Sequence, residues 1–434
     1  MAEGFLLVGG TVVSEGRVLP RATVQVVGDR IVDVSQSAAA SDSRVIDITG
    51  LLLIPGLVNA HAHGLTTGPL FSSAATPLTV AEAVANANRH LAAGVTTAIN
   101  VCGFAIEVDR IDHPMRIELG TTNLPHARTA AMLVDGSALT ERRRERTAEL
   151  MLAAGARAIG EVGSGATLGG GVAAYRYLPD AVLTSTGVRL DPATATELID
   201  ALVGPLRTGK PDDGALHEAM ERLSVPPTVF QPVRKAILGL AAAPVVASLS
   251  SFAEAAELSA DTGIPAVFHT AEPSVRELIR LARHTQGRLV AGHMNHPSMA
   301  ADDAVEHAMI LRELGVVIDV SSLDIVHAQS MCSPVVADAL ASAGVVDTLT
   351  TDYAGGNWEP MLALVQRWIG LGLVDLARGI MMCTSTPAQV FGFSDRGRIA
   401  AGLLADLVVC NPANLEDVRA VFVGGQPVTI RPGA

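Results

Sequence analysis

Lysine is nearly absent from this chain. Of 31 basic residues among 434, only Lys210 and Lys235 are lysines, so a site that needs an amine side chain has two positions to draw on. Charge of either sign is sparse, at 17% of residues, and its balance is acidic, with a formal net charge of −13. The one basic run, Arg142, Arg143, Arg144 and Arg146, is interleaved with Glu141, Glu145 and Glu149, which is the pattern of a solvated helix face. That leaves no footing for nucleic acid or an anionic membrane surface as a partner. The four cysteines (Cys102, Cys332, Cys383, Cys410) are scattered and form no Cys-x-x-Cys pair, as expected of reduced thiols in a cytoplasmic protein. The opening Met-Ala-Glu-Gly-Phe-Leu-Leu-Val has no basic region and only a short apolar run, unlike a signal peptide. No stretch of about 18 apolar residues free of Pro, Gly and charge is present, so no membrane span is expected.

What is abundant is aliphatic surface. Hydrophobic residues make up 49% of the chain, enough for a buried parallel sheet with helices packed on it, and the length accommodates one large barrel with a smaller domain. Residues 1–54 alternate short β-runs with turns (Phe5–Val8, Thr11–Val13, Ala22–Val27, Ile31–Ser35, Val45–Leu53) and predict a small antiparallel sheet. A second set, Ala405–Cys410, Ala420–Val423 and Pro427–Ile430, predicts that residues 396–434 join it in one composite β-sandwich. Between them, residues 55–395 read as strands alternating with helical patterns, the signature of a parallel sheet. Eight apolar runs serve as strands: Leu53–His61, Val95–Cys102, Ala127–Leu133, Ala156–Val162, Pro265–Thr270, Arg288–His293, Val316–Ser321 and Thr348–Asp352. Helices are expected over Val80–Ala92, Glu141–Ala154, Val275–His284 and Ala301–Leu314, with Gly94, Gly155, Gly263 and Gly315 as stops. Eight such units make a TIM (β/α)8 barrel. One unit is oversized: Glu161 and His269, at successive strand ends, lie 108 residues apart, where a barrel allows roughly 30 per unit. The excess, residues 164–250, is read as a helical insertion acting as a lid, a specificity subdomain or an oligomerisation arm.

The most telling stretch is Leu-Ile-Pro-Gly-Leu-Val-Asn-Ala-His-Ala-His, residues 53–63. Strand alternation puts His61 and His63 on one face at the C-terminal strand end, side by side, where a barrel builds its active site and two imidazoles chelate a divalent metal. Other strand ends carry the same kind of residue: Glu161, His269, His293 and Asp352. Taken singly each has an ordinary structural explanation. Six at the same end of five strands read jointly as a metal site.

With these motifs, and with the return Gly397-Arg-Ile-Ala-Ala-Gly402-Leu-Leu-Ala-Asp406-Leu-Val-Val, the chain resembles the amidohydrolase superfamily over almost its whole length. Within it the chain is most similar to enamidase and related cyclic amide hydrolases, through Gly94-Val-Thr-Thr97, Ile159-Gly-Glu161-Val-Gly163, His269-Thr270, His293-x-Asn295, Cys383-Thr-Ser-Thr-Pro387-Ala and Phe391-Gly392. It departs at His296-Pro297, where that relative has glycines, and in the 164–250 insertion. The resemblance implies two divalent ions bridged by a carboxylated lysine or a carboxylate on strand four. Both lysines fall in the insertion, which leaves Glu161 as the bridge. One ion is then implied at His61, His63, Glu161 and Asp352, the other at Glu161, His269 and His293. Such ligands suit Zn²⁺ and equally Fe²⁺, Mn²⁺ or Co²⁺.

The implied activity is hydrolysis of a non-peptide C–N bond, in a lactam, enamide or ureide, by attack of a metal-bridging hydroxide, with Asp352 moving the proton. The runner-up is a mononuclear deaminase of a heterocycle, which typically needs an acid/base pair near the strand-five and strand-six histidines. A third is a non-catalytic scaffold of the same fold. Thr270, Asn295, His296, Tyr353 and Asn357 follow strand ends and are candidates to touch a small-molecule substrate. Arg128 and Arg176 are candidates to pair with a substrate carboxylate, and Cys102 reads as pocket lining. His90, His113, His126, His217, His284, His307 and His327 read as structural. The glycine run from Gly160 to Gly171 lacks the Lys-Ser/Thr of a phosphate loop. A homo-oligomer is expected.

Overall fold

The computed structural model describes residues 4–36, 44–168, 176–323, 332–353, 355 and 358–430. Asn357, His327 and the end of the glycine run lie outside the described residues. The N-terminal strands are β1 (Gly4–Ser14), β2 (Arg17–Val27), β3 (Arg30–Ser35), β4 (Arg44–Asp47) and β5 (Leu52–Pro55). The barrel strands are β6 (Leu57–Ala62), β7 (Val95–Asn100), β8 (Arg116–Thr121), β9 (Ala158–Val162), β10 (Ala266–His269), β11 (Leu289–Gly292), β12 (Val317–Ser321) and β13 (Thr348–Thr350). The chain ends with β14 (Leu407–Asn411), β15 (Asn414–Val423) and β16 (Gln426–Ile430).

Strands β6 to β13 are hydrogen-bonded in sequence order, all parallel. At the C-terminal end the ring is drawn shut by backbone bonds from Asp352 N–H to the His61 carbonyl and from His63 N–H to the Tyr353 carbonyl, each 2.9 Å. The fold is therefore a TIM barrel, with a β-sandwich built from both termini. Inside the barrel, Val58, Ala60, Ile99, Val101, Ala158, Val267 and Val290 fill the floor, with Phe391 and Phe393 packed among them. The residues able to ligate a metal stand at the opposite end.

Two strand assignments differ from expectation. Ala127–Leu133 is a helix (Pro125–Val134), and the third strand is Arg116–Thr121. Pro125 in the first helical turn and Ala127, Ala130 and Ala131 on the buried side favour the helix. In β8 the buried Ile117 and Leu119 are separated by Glu118, which hid a short strand among charges. The run Leu53–His61 is split at Gly56 into β5 and β6. A Cβ on Gly56 would lie 2.2 Å from Thr96 Oγ1, so only glycine lets the chain pass from one sheet to the other. The expected helix Glu141–Ala154 is likewise interrupted, into Glu141–Glu145 and Ala148–Ala153.

The terminal sheet runs β16-β15-β14-β5-β1-β2-β3, with β4 on β1. It is not wholly antiparallel, because β1 pairs with β4 and β5 in parallel. It folds over on itself: Phe5 of β1 stacks on Phe422 of β15, with centroids 5.2 Å apart, around a core that includes Leu7, Val24, Ile31, Leu53, Leu407 and Val409. Within the expected insertion, helices Leu178–Thr186, Pro192–Val203, Asp213–Arg222 and Phe230–Ile237 share a core of their own, built on Leu198, Leu202, Leu216, Met220, Phe230 and Val233. The helical run Pro227–Thr262 is long and apolar enough to cross a membrane, and the fold accounts for its hydropathy. Its first part faces the insertion's core, and Ala243–Thr262 packs on β9, β10 and helix Pro125–Val134.

The Ala-Asp-Leu-Val-Val return has a definite structural task. The Asp406 carboxylate is buried, accepts from Arg116 Nη1 at 2.6 Å and from Gly424 N–H at 2.7 Å, while its carbonyl accepts from Gly56 N–H at 2.7 Å. It ties barrel strand β8 to the sandwich at the crossing glycine. Asp406→Ala strands a partly exposed arginine and a backbone donor, and is expected to cost about 2 kcal/mol. Urea denaturation checks this, and a change under a few tenths of a kcal/mol would show that the joint is held elsewhere.

Candidate metal centre

Six side chains converge at the C-terminal mouth of the barrel, and they are the six expected there: His61, His63, Glu161, His269, His293 and Asp352. Five are almost fully buried, and Asp352 alone keeps a partly open side chain, 20% exposed. Glu161 sits at the middle. Its Oε1 lies 2.9 Å from His269 Nδ1 and 2.8 Å from His293 Nε2. Its Oε2 faces the other pair, 3.8 Å from His61 Nε2 and 3.6 Å from His63 Nε2. Asp352 Oδ1 completes that side, 3.4 Å from His61 Nε2 and 3.0 Å from His63 Nε2. One carboxylate therefore divides its two oxygens between two pairs of imidazoles.

The backbone that delivers these groups is strained where it matters. His293 (φ 35°) and Asp352 (φ 50°) both occupy the left-handed region, which histidine and aspartate tolerate better than most residues but still at a cost of about 1 kcal/mol each. Small residues make the space. A Cβ on Gly292 would lie 3.1 Å from His61 Cε1 and 3.0 Å from the Phe268 carbonyl oxygen.

Behind the six stands a shell of groups that fix them. Asp319 in β12 accepts from the Thr348 hydroxyl (2.8 Å), the Thr350 hydroxyl (2.7 Å) and His293 N–H (3.3 Å), and lies 3.9 Å from His61 Nδ1. Cys102 Sγ lies 3.7 Å from His63 Nδ1 and is itself held by Asn100, so its place is beside a histidine and not in the open. Asn59, Thr351 and His90 form a buried chain under the first and last strands. Asp319 was not singled out from the sequence; a lone aspartate inside the apolar run Val-Val-Ile-Asp-Val was the signal available.

The donors fit a divalent metal. Both ring nitrogens of His61 and Nε2 of His269 are buried without a hydrogen-bond partner among the described residues, which a native interior tolerates only with a reason. Donor atoms of His61, His63 and Asp352 lie within 4.8 Å of one another, as do those of His61, Glu161 and His293. Ligands about 2.1 Å from a common tetrahedral ion stand about 3.4 Å apart, which is the scale of the distances above. The electrostatics ask for positive charge as well. Burial pushes the Glu161 carboxyl up, but the charge and hydrogen bonds of His269, His293 and His61 hold it well below the ordinary carboxylate range. Asp352 is held low against burial by His61 and His63. In return, and against burial, Glu161 lifts His293 to about 9 and Asp352 lifts His63. Two anionic carboxylates are thus enclosed among imidazoles, with cations drawn to them.

The other expected residues are engaged elsewhere. Thr270 Oγ1 donates to the Phe268 carbonyl (3.1 Å). Asn295 donates to the Ser321 carbonyl and accepts from Ser321 N–H, each 3.0 Å. The Tyr353 hydroxyl bonds Arg89, and its ring packs on His90 and Trp358, so it points away from the cluster as scaffold. Arg128 donates to Asn123 (3.1 Å), and Arg176 lies over Tyr177; neither joins the centre. Only His296 stands against the cluster, its ring 5.5 Å from that of His269. Phe71, not picked out beforehand, forms an apolar wall with its ring 5.2 Å from His63.

Gly292→Ala is expected to displace the His61 ring by a few tenths of an ångström and to weaken metal binding about tenfold, read by competition with a chromophoric chelator. Unchanged affinity would show that this glycine does not set the ring's place.

A model of the amidohydrolase family matches residues 192–428, more than half of the chain. Among curated proteins, adenine deaminase 2 of Oenococcus oeni is 37% identical over 82 residues, covering 19% of this chain and only 14% of the deaminase. Among solved structures, a prolidase complexed with N-methylphosphonate-L-proline superposes with a TM-score of 0.57 at 18% identity, covering 99% of this chain and 100% of that one. A dihydropyrimidinase from Brevibacillus agri NCHU1002 superposes with a TM-score of 0.51 at 16% identity, covering 98% and 95%. At such identities the likeness is one of fold. With the family model spanning the last four barrel strands and the sandwich return, more than half of the chain, the chain belongs to the amidohydrolase family.

Proposed function

We propose that this protein is a metal-dependent hydrolase of a ring C–N bond, in a lactam, enamide or ureide, working with two divalent ions per chain. The observation that carries this reading is the division of Glu161 between His61 and His63 on one oxygen and His269 and His293 on the other. A carboxylate with both oxygens occupied in this way serves two cations better than one. His61, His63, Glu161 and Asp352 would hold one ion, and Glu161, His269 and His293 the other, with Zn²⁺ the best match and Fe²⁺, Mn²⁺ or Co²⁺ of the same ligand chemistry. When bound, such a pair supplies a water ionised near neutral pH and a Lewis acid for the amide carbonyl.

The rest follows from the chain's own groups. Asp352 is the one carboxylate of the centre with an open side, and it is kept anionic by His61 and His63. It is placed to accept the proton of the attacking water and to return it to the leaving nitrogen. Glu161, closed in on all sides, has no route to substrate and serves only to hold. Phe71 excludes water beside His63 and offers an apolar face to a ring. The neighbourhood is completed by His296, treated below. We further propose a small-molecule substrate, a cytoplasmic setting, a homo-oligomeric state and a specificity role for the helical insertion. The insertion's described contacts with the barrel run through helices Pro125–Val134 and Ala243–Thr262.

A second reading, the mononuclear deaminase, is favoured by the match to a curated deaminase. It calls for an acid/base pair near the strand-five and strand-six histidines. The carboxylate nearest in sequence, Glu272, three residues after His269 at the start of a helix, is the candidate for that role, with Arg276 3.9 Å away.

Elemental mass spectrometry on protein purified without chelator separates the two readings. Close to two metals per chain is expected, falling to one or fewer in Glu161→Gln; close to one in the wild type, with ammonia released from aminated heterocycles, would replace this proposal by the deaminase. Asp352→Asn is expected to lose more than a hundredfold in kcat while keeping its metal, and a near-normal rate would remove Asp352 from proton transfer.

A further inference from the structure

Of the five polar residues expected at the strand ends, four are among the described residues, and three of these are committed to the scaffold: Thr270 to a carbonyl, Asn295 to the Ser321 backbone, Tyr353 to Arg89. His296 is the exception. It is half-buried, with its ring 5.5 Å from that of His269 and 5.9 Å from that of His293. Its Nδ1 is occupied by its own loop: Ser298 N–H reaches it at 3.2 Å and the Ser298 hydroxyl at 2.7 Å. Pro297 between them has no N–H to compete.

These contacts determine where the imidazole proton sits. A backbone N–H can only donate, so Nδ1 must present its lone pair. The Ser298 hydroxyl accepts from Glu272 N–H at 3.0 Å, which leaves its own hydrogen free for the same lone pair. With Nδ1 accepting, a neutral imidazole carries its proton on Nε2. A doubly protonated ring would set Nδ1–H against Ser298 N–H. Nε2 has no protein partner among the described residues. The result is a single N–H donor, fixed in tautomer and neutral, standing beside the His269/His293 half of the centre.

We propose that His296 donates this Nε2–H to the scissile carbonyl oxygen of the substrate, with Ser298 as the residue that positions it. The inference rests on the hydrolase reading above and refines it. In the reaction the carbonyl carbon gains a bond to the attacking oxygen, its C–O π pair moves onto the oxygen, and the C–N bond then breaks with a proton delivered to nitrogen. The charge that builds on that oxygen is what a preformed neutral donor stabilises. A neutral donor does not balance a carboxylate, so the substrate on this side presents a carbonyl oxygen, as in a lactam, imide or cyclic urea, and not an acid.

The test has two arms. In the first, ring-nitrogen NMR is recorded on [¹⁵N]histidine-labelled, zinc-loaded protein, with His296→Gln used to assign the signal. The expected result is a bare Nδ1 and a protonated Nε2 at His296, a mixture of tautomers in Ser298→Ala, and a shift of the Nε2–H signal on adding acetohydroxamate, a metal-seeking probe with a carbonyl oxygen. Acetohydroxamate is expected to bind about tenfold more weakly to His296→Ala. In the second, His296→Ala is assayed on the ring amides the wild type hydrolyses. A loss of about a hundredfold is expected, mainly in kcat and with unchanged metal content, and His296→Gln, which keeps an N–H at similar reach, recovers most of it. A proton on Nδ1, or equal acetohydroxamate affinity in wild type and His296→Ala, overturns the proposal. If the wild type hydrolyses no ring amide, the functional reading fails while the first arm still decides the role of His296.

Discussion

The Glu161 carboxylate is the group on which the rest of the centre depends, because it is the only one that touches both halves. Buried without partners, a carboxylate at this depth would cost several kcal/mol and would take up a proton instead. Here it stays ionised because four imidazoles surround it, two on each oxygen. Its position in turn requires the strand that carries it to approach its neighbours closely. Gly160, just before it, has φ 150°, and a Cβ there would lie 2.7 Å from the Val267 carbonyl oxygen. The Glu161 carbonyl accepts from the buried Ser72 hydroxyl, so the segment after the first barrel strand also closes onto it. The centre is a set of mutual constraints around one side chain.

That arrangement explains how the shell behind the centre is built. The barrel floor is largely aliphatic, and the described partners of the rings come from the strand ends around them. Asp319 is anchored by two threonines and steadies His61 and the His293 backbone. Burial pushes its carboxyl up, which the threonine hydroxyls and the nearby His61 counter. His90 is a different case. Burial drives it down to about 4, so it is a neutral hydrogen-bonding link between helix Val80–Ala92 and Thr351, one residue from Asp352. His63 is buried as deeply, but the Asp352 carboxylate beside it lifts it against burial, where His90 has only neutral hydrogen-bond partners.

Much of this was legible in the residues, and the exceptions have physical causes. Seven of the eight barrel strands were found because a buried parallel strand reads as a continuous aliphatic run. The third, Arg116–Thr121, escaped because its buried Ile117 and Leu119 alternate with Arg116 and Glu118, and because an alanine-rich helix stood in for it. The six residues at the mouth were recognisable from position alone: each closes an apolar run with a group that can ligate. Their supporting residues were not, since Asp319, Thr348 and Thr350 act by cross-strand proximity, which one chain's order does not display. The candidates for substrate contact fared worst for a related reason. A polar residue after a strand end has two ways to satisfy itself, with a ligand or with the backbone of the next strand, and Asn295 takes the second.

That same competition narrows what the cavity can recognise. When Thr270, Asn295 and Tyr353 are bound into the scaffold, the described wall beside the centre is left with an aromatic ring, Phe71, on the His63 side and a single neutral donor, His296, on the His269 side. A flat apolar face opposite one hydrogen-bond donor is in keeping with the proposal of a compact ring bearing one carbonyl oxygen. A dipeptide requires its ammonium and carboxylate to be met by opposite charges, and neither Arg128 nor Arg176 faces the mouth to do so. On the ring-amide proposal, the composition of this wall, more than the arrangement of ligands, would select the substrate.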